Sequence, residues 1–424
     1  MKILLLNHSD IGGGATVAAW RLLKALQTTE VNIELGVIEK YSDNPAVICL
    51  KKKYNLADWA LKILHKISFY LRNFLFKTVN PVLHSENKDT ALDIMKVNNS
   101  DCDLVHLHWV NYNTISIEDI AKIRKPLIWT LHDSWVFCGA EHYQNILEND
   151  WRFSEGYTQK NKPLTTQGLD ICRKTWERKK KAWKNLKCDF ISPSDFEKKC
   201  FEQSALFRNS ENSCVVIPNI VPETIFKPLN RAVLRKKYDM PENKKIIGFG
   251  ACNISAFRSV KGGRFLLEAL TKLENPAEYQ LVIFGNVSTD FSTQVASPVF
   301  AAGYVKEPEK LAEIYNLCDV YVCPSLIESF GLTCLEAAFC GVPVAAFNTG
   351  GIPDIVEHRK TGYLAKSFEI GDLARGIVYC LENKKILSEN SLAKARRDFS
   401  NQAVLEKHIS VYKNVLKCSQ EGKR

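Results

Sequence analysis

The chain has no Cys-x-x-Cys pair, although it holds 14 cysteines. They stand singly, several inside apolar runs such as Leu317-Cys318 and Phe339-Cys340. That distribution excludes a zinc knuckle and a disulfide framework and matches reduced, buried thiols of a cytoplasmic protein. Also missing is any run of about 18 uncharged apolar residues, the length a membrane-spanning helix needs. The opening MKILLLNHSDIGGG has one lysine before a very short apolar run, so it reads as a first β-strand and not as a signal peptide. No repeat of solenoid length and no low-complexity segment occurs. A G-x-G-x-x-G fingerprint begun at Gly12 would need glycine where Val17 stands, which argues against a nicotinamide or flavin enzyme.

What is present is ordinary globular material. The 424 residues, 46% hydrophobic and 25% charged, predict two or three domains. The net charge of +10 is concentrated at Lys51 to Lys53 and from Arg178 to Lys184. Such clusters suit phosphorylated substrates or anionic lipid, or are solvated helix faces. Aromatic and basic residues interleave only briefly near Trp183, so nucleic acid is not an expected partner. Trp59 to Lys77 is rich in leucine and aromatics but broken by Lys62, His65, Lys66 and Arg72. It reads first as a packed helix with one basic face, and second as a helix lying in a membrane interface. The protein is therefore expected in the cytoplasm, with peripheral contact at the inner face of an anionic membrane as the further expectation.

Short β-rich runs alternate with helical spacing along the whole chain. Lys2–Asn7, Asp103–Trp109, Pro126–His132 and Cys188–Ser192 read as strands of a first half. Ile246–Ala251, Gln280–Phe284, Val320–Cys323 and Pro343–Phe347 read as buried parallel strands of a second. Helical spacing covers Ala15–Leu26, Gly263–Leu273, Pro308–Leu317 and Gln402–Lys417. Three prolines in VVIPNIVPETIFKP, residues 215 to 228, mark a connection between the halves. The prediction is an α/β protein of two doubly wound domains, residues 1–217 and 218–400, with a helix at 401–424 that can pack on either domain and is expected on the first.

In open α/β sheets ligands bind beyond the C-terminal strand ends, and polar clusters fall at several such ends. Gly12-Gly13-Gly14 follows the first strand and opens a helix, where backbone N–H groups can approach a phosphate or sugar. Close packing alone would also explain those glycines. His132-Asp133 ends another strand, where an imidazole can donate to a sugar hydroxyl. His106, His108, His132, Asp133 and His142 could together hold a metal, but packed or surface histidines are the preferred reading and no metal is expected. Arg258 and Lys261 precede a glycine pair and a helix, an arrangement suited to a diphosphate. In PSLIESFGLTCLEAAFCGVPV, Glu328 belongs to a loop and Glu336 lies one turn into a helix from about Leu332 to Phe339. The amides of Phe330, Gly331 and Leu332 would be the unpaired donors of that helix start. The plain alternative is a helix-capping Glu328 and a surface Glu336.

The stretch from Pro324 to Ala365 resembles the signature of retaining, nucleotide-sugar-dependent glycosyltransferases of family 4, in its Glu328-x7-Glu336 pair, its Gly341-x-Pro343-Val344 turn, and Gly350, Gly351 and Gly362. GGGATVAAWRLLKAL, HLHWVN, WTLHDSW, VIPNI and FGACNISAFRSVKGG extend the resemblance over nearly the whole chain, and the middle segments are similar to enzymes of bacterial surface-polysaccharide (colanic-acid-like) synthesis. The resemblance implies a GT-B fold, two Rossmann-like domains facing across a cleft, and metal-independent transfer with no cofactor. It implies Lys261 and Arg258 on the diphosphate of a UDP- or GDP-sugar, assisted by the amides of Phe330 to Leu332. Glu336 would bind the ribose, Glu328 and His132 the transferred sugar, and Gly13 and Gly14 would line the same site. The acceptor would be a glycan hydroxyl, expected to be lipid-linked. The spacing of Arg258 and Lys261, and Ile220 after Asn219, depart from the family pattern. Cys138 to Cys172 is polar and irregular, a candidate acceptor-binding insertion. A sugar-nucleotide epimerase, or a non-catalytic protein that binds nucleotide sugar or glycan, is the alternative.

Overall fold

The computed structural model describes residues 1–53, 63, 76–78, 80–144, 149–254, 260–287 and 294–422. Arg258 and most of Trp59 to Lys77 lie outside the described residues, as do the roles expected of them. The chain divides into two compact units, Met1–Pro218 with Leu405–Arg424, and Asn219–Val404.

The first unit is built on a parallel sheet in the order β3-β2-β1-β5-β6-β8-β9. Its strands are β1 (Lys2–Leu6), β2 (Asn32–Val37), β3 (Val47–Cys49), β5 (Leu104–Leu107), β6 (Leu127–Thr130), β8 (Asp189–Ser192) and β9 (Cys214–Val216). A two-residue pair, β4 (Phe76–Lys77) with β7 (Gln167–Gly168), is antiparallel. Every side chain of β5 and β6 is buried, as expected of strands covered on both faces. Helix α1 (Gly14–Leu26) follows β1 and buries Ala18, Ala19, Leu22, Leu23 and Leu26, the apolar stripe of an amphipathic helix.

The second unit has a six-stranded sheet in the order β12-β11-β10-β13-β14-β15. These are β10 (Lys245–Ile254), β11 (Tyr279–Val287), β12 (Val299–Gly303), β13 (Val320–Cys323), β14 (Val344–Phe347) and β15 (Gly362–Ala365), all paired in parallel. Helices α2 (Gly263–Leu270), α3 (Pro308–Leu317) and α4 (Leu332–Phe339) connect them. One apolar cluster packs around Tyr315, Leu335 and Phe339, the other around Leu266, Ile283 and Phe347. Helix α5 (Asn401–Gln420) closes the chain, and its Tyr412 hydroxyl lies 2.8 Å from His106 Nδ1 of β5.

In each sheet the chain order reverses beside the first strand of the unit, between β1 and β5 and between β10 and β13. Such switch points leave a crevice beyond the C-terminal strand ends.

Candidate functional site

Both switch points carry the polar residues singled out above. In the second unit, β10 leads toward Lys261 and β13 leads into Pro324 and Ser325. Gly262 makes their approach possible: its φ is +71°, and a Cβ there would lie 1.8 Å from the Pro324 carbonyl oxygen. Leu326 N–H donates to the Val260 carbonyl at 2.7 Å, fastening the two loops together.

Glu328 sits at the centre of this junction. Its Oε1 accepts from Lys261 Nζ at 2.6 Å and from the Ser325 hydroxyl at 2.8 Å. The Ser325 carbonyl accepts in turn from the Thr349 hydroxyl at 3.1 Å. The Glu328 backbone is gripped by the Gly350-Gly351 turn: Gly351 N–H donates to its carbonyl at 2.8 Å, and a Cβ on Gly350, at φ +55°, would stand 2.0 Å from that oxygen. The Lys261 side chain is 40% exposed and that of Glu328 only 12%, so the ammonium is the partner that an anion from solvent can reach.

Glu336 is 3% exposed, and its Oε2 accepts from the Tyr315 hydroxyl of α3 at 2.8 Å. It is thus a buried, anchored carboxylate and not a surface one. Nor does Glu328 cap α4, whose N-cap is Gly331 in the left-handed conformation with no side-chain cap. Phe330 is buried, its ring 6.1 Å from that of Phe399, so it can offer a ligand its backbone but not its side chain.

The three helices that start at these strand ends share one feature. α1 begins after Gly13, α2 after Gly262 and α4 after Gly331, and none has a side-chain cap. Asp170, Ser194 and Asn230 do cap the helices that follow them. An uncapped glycine start leaves first-turn N–H groups and the positive end of the dipole for an outside acceptor. A Cβ on Gly13 or Gly14 would meet nothing within 4 Å, so close packing does not account for those two glycines.

In the first unit, His132 follows β6 and is partly exposed. Its Nε2 lies 2.8 Å from His108 Nδ1, with the rings 25° from parallel. Burial holds the His132 pKa down at about 4 despite the adjacent Asp133 carboxylate. Asp133 belongs to a separate chain of contacts: its Oδ2 is 2.6 Å from His142 Nδ1 and accepts from Trp109 Nε1, and His142 Nε2 is 2.9 Å from the Ser85 hydroxyl. His106 is fully used, between Tyr412 and the Thr130 hydroxyl. Among the described residues no group of three His, Cys, Asp or Glu side chains could hold a metal ion.

The segment from Cys138 to Cys172 is less polar in place than in sequence. Cys138, Ala140, Phe153, Tyr157 and Cys172 are buried. Arg152 pairs with Asp150 at 3.0 Å and Asp170 at 3.4 Å, closing the segment on itself. Lys179, in the basic cluster, is fully buried and donates to the carbonyls of Trp135, Cys138 and Gly139, so that cluster is not wholly a solvated face. Arg178 is also committed, to Glu118 at 2.6 Å.

Sequence reasoning named Lys261, Glu328 and Glu336 but not Ser325 or Tyr315, the hydroxyls that hold the two carboxylates. Ser325, three residues before Glu328, was open to inspection. Tyr315 was not, because it comes from α3, 21 residues before Glu336.

Residues 230–403 match the family model described as glycosyl transferases group 1. The chain is 26% identical over 213 residues to N-acetyl-alpha-D-glucosaminyl L-malate synthase of Bacillus anthracis, covering 48% of this chain and 55% of the relative. It is 26% identical over 227 residues to D-inositol 3-phosphate glycosyltransferase of Mycolicibacterium smegmatis, covering 51% of each. It thus spans about half the length of these curated relatives. Among solved structures it superposes on sucrose-phosphate synthase of Thermosynechococcus elongatus with TM-score 0.68 at 17% identity, covering 98% and 99% of the two chains. Anabaena HepE, solved in complex with UDP and glucose, gives 0.64 at 17% identity, covering 98% and 100%. The fold is therefore of the GT-B class, with two Rossmann-like units, and the segment that carries Lys261, Glu328 and Glu336 is the one that matches the group 1 glycosyl transferases.

Proposed function

We propose that the protein is a retaining glycosyltransferase that moves a sugar from a nucleotide-diphosphate sugar, a UDP- or GDP-sugar, to a hydroxyl of a glycan acceptor. The observation that carries this reading is the convergence of Lys261, Ser325 and Glu328 at the β10/β13 switch point, beside the uncapped start of α4. A leaving nucleoside diphosphate gains negative charge as the glycosidic bond breaks. A cation and helix N–H groups held near the breaking bond stabilise that charge.

The roles are those that the resemblance implies. Lys261 takes the diphosphate, with Arg258 as the second cation, and the amides of Phe330, Gly331 and Leu332 donate to it. Glu336, held by Tyr315, accepts from ribose hydroxyls. Glu328, held by Ser325, accepts from hydroxyls of the transferred sugar, and His132 of the first unit serves the same sugar. Gly13 and Gly14 supply room and N–H groups. The acceptor hydroxyl attacks the face from which the nucleotide departs and passes its proton to the leaving phosphate. Side-chain cations do the work that a metal does elsewhere, so neither metal nor cofactor is part of this reading. The names of the relatives, all sugar-transferring or sugar-conjugating enzymes, support the class.

The acceptor is assigned as a lipid-linked glycan of surface-polysaccharide synthesis, reached at the inner face of the cytoplasmic membrane. The resemblance noted above and the net charge of +10 support it. Among the described residues no helix is long and apolar enough to cross a membrane. Retention on anionic vesicles at low salt is the expected result, and protein that stays in the supernatant removes the membrane part.

Thermal shift with UDP, GDP, ADP and NAD tests the donor site, on wild type and Lys261→Ala. Ligand at about 100 times its Kd stabilises by roughly 2.7 kcal/mol. A shift with UDP or GDP that the substitution abolishes is expected. Folded wild type that responds to neither would sink the donor assignment.

A further inference from the structure

His108 and His132 share one hydrogen bond between two neutral rings. Their nitrogens are 2.8 Å apart and the rings nearly parallel. Burial depresses both, His132 to about 4 and His108 well below the usual range, so near neutral pH neither is an imidazolium. One proton therefore sits between Nδ1 of His108 and Nε2 of His132, and its side decides the tautomer of both rings.

The surroundings of His108 break the tie. Its Nε2 is buried and has no hydrogen-bond partner among the described residues. The nearest ring, His106, has centroid 4.4 Å away, but both its nitrogens are already engaged with Tyr412 and Thr130. If His132 donated, His108 would carry its hydrogen on Nε2 and aim a buried N–H at no protein acceptor. If His108 donates from Nδ1, Nε2 is a bare nitrogen. An orphaned buried donor is the rarer of the two states. The Trp129 indole N–H, 3.0 Å from the His108 carbonyl, and the in-register pairing of Leu107 with Trp129 hold His108 level with the end of β6.

We infer that His108 is a positioning residue: its Nδ1–H donates to His132 Nε2 and locks His132 as the Nδ1–H tautomer. His132, a partly exposed residue, then carries its hydrogen on Nδ1 as a donor, with its one ring lone pair occupied. It can polarise a sugar oxygen but cannot take the acceptor's proton. The inference rests on the proposal that His132 serves the transferred sugar; the tautomer itself does not depend on it.

Nitrogen-15 NMR of histidine-labelled full-length protein at neutral pH reads the tautomer directly, with His132→Gln to assign the signals. The expected result is protonated Nδ1 and bare Nε2 on His132 in wild type, and loss of that state in His108→Leu. A wild-type His132 protonated on Nε2 overturns the inference, whether or not any variant folds. In turnover, His108→Leu should lower kcat about 10- to 100-fold, the range for outer partners that orient metal-bound imidazoles. His108→Gln, which keeps an N–H donor, should recover part of the loss with KM for the donor sugar unchanged. Loss in KM alone, equal for both variants, would mark His108 as structural. If His132→Ala turns over normally while the tautomer is as expected, the sugar role of His132 fails and the lock stands.

Discussion

The two site carboxylates of the second unit, Glu328 and Glu336, are each held by a hydroxyl from a different source, and that difference makes the two proposed roles separable. Ser325 donates to Glu328, and Tyr315 to Glu336. A hydrogen bond to a charged group contributes about 1.5–3 kcal/mol, so losing either should be felt as a factor of roughly ten or more. Ser325→Ala should weaken turnover and binding of the intact nucleotide sugar while leaving binding of the free nucleoside diphosphate as it was, because Glu328 is assigned to the sugar. Tyr315→Phe should weaken both, because Glu336 is assigned to the ribose. Isothermal titration with UDP or GDP and with the matching nucleotide sugar distinguishes them; equal losses on both ligands for Ser325→Ala would contradict the assignment of Glu328. The carboxylates themselves were legible in the sequence, Glu328 from its loop after a strand and Glu336 from its place in the helix that follows. Their partners were less so, since a hydroxyl's value depends on where it points, and only folding decides that.

At the scale of the element, glycine is the shared device. Gly262 and Gly350 each bring a backbone to within contact of a carbonyl oxygen and each has positive φ. An L-residue in such a conformation costs of order 1–3 kcal/mol before any clash. Gly262→Ala should therefore lower the Tm by at least several degrees, since about 1 kcal/mol moves a domain of this size by roughly 2–4 °C. Gly13→Ala should leave the Tm nearly unchanged, because its Cβ meets nothing, and should instead reduce turnover if a ligand comes close there. Scanning calorimetry with an activity assay on both variants checks the contrast. The strands and helices around these glycines were readable from the pattern: Val320–Cys323, Pro308–Leu317 and Leu332–Phe339 fall where it puts them. Short strands such as β3, β9 and β12 were not, because a run of three to five residues with mixed exposure carries little periodicity.

For the whole molecule, acid should be the weak point. His106, His108, His132 and His408 are all held neutral by burial, His408 to about 3. Their folded pKa values lie below the unfolded value near 6.5, so the unfolded chain binds more protons below that pH. Stability is then complete above about pH 6.5 and falls as pH drops toward the folded values, with His408 alone contributing roughly 2 kcal/mol of loss at pH 5. Denaturant midpoints at pH 7 and pH 5 measure this, and His408→Leu should flatten the dependence. A wild-type midpoint unchanged between the two would contradict it. The same cluster shows where the sequence stops speaking. Local patterning determined the α/β class, the two doubly wound halves, the strand ends near Lys261, Glu328 and His132, and the helix that carries Glu336, because periodicity and turn chemistry act over a few residues. Tertiary structure alone decided that Tyr412 meets His106 across 306 positions, that Lys179 leaves its basic run for a buried cage of carbonyls, and that His108 faces His132. Those contacts follow from sheet order and register, which long-range packing sets and no local pattern encodes.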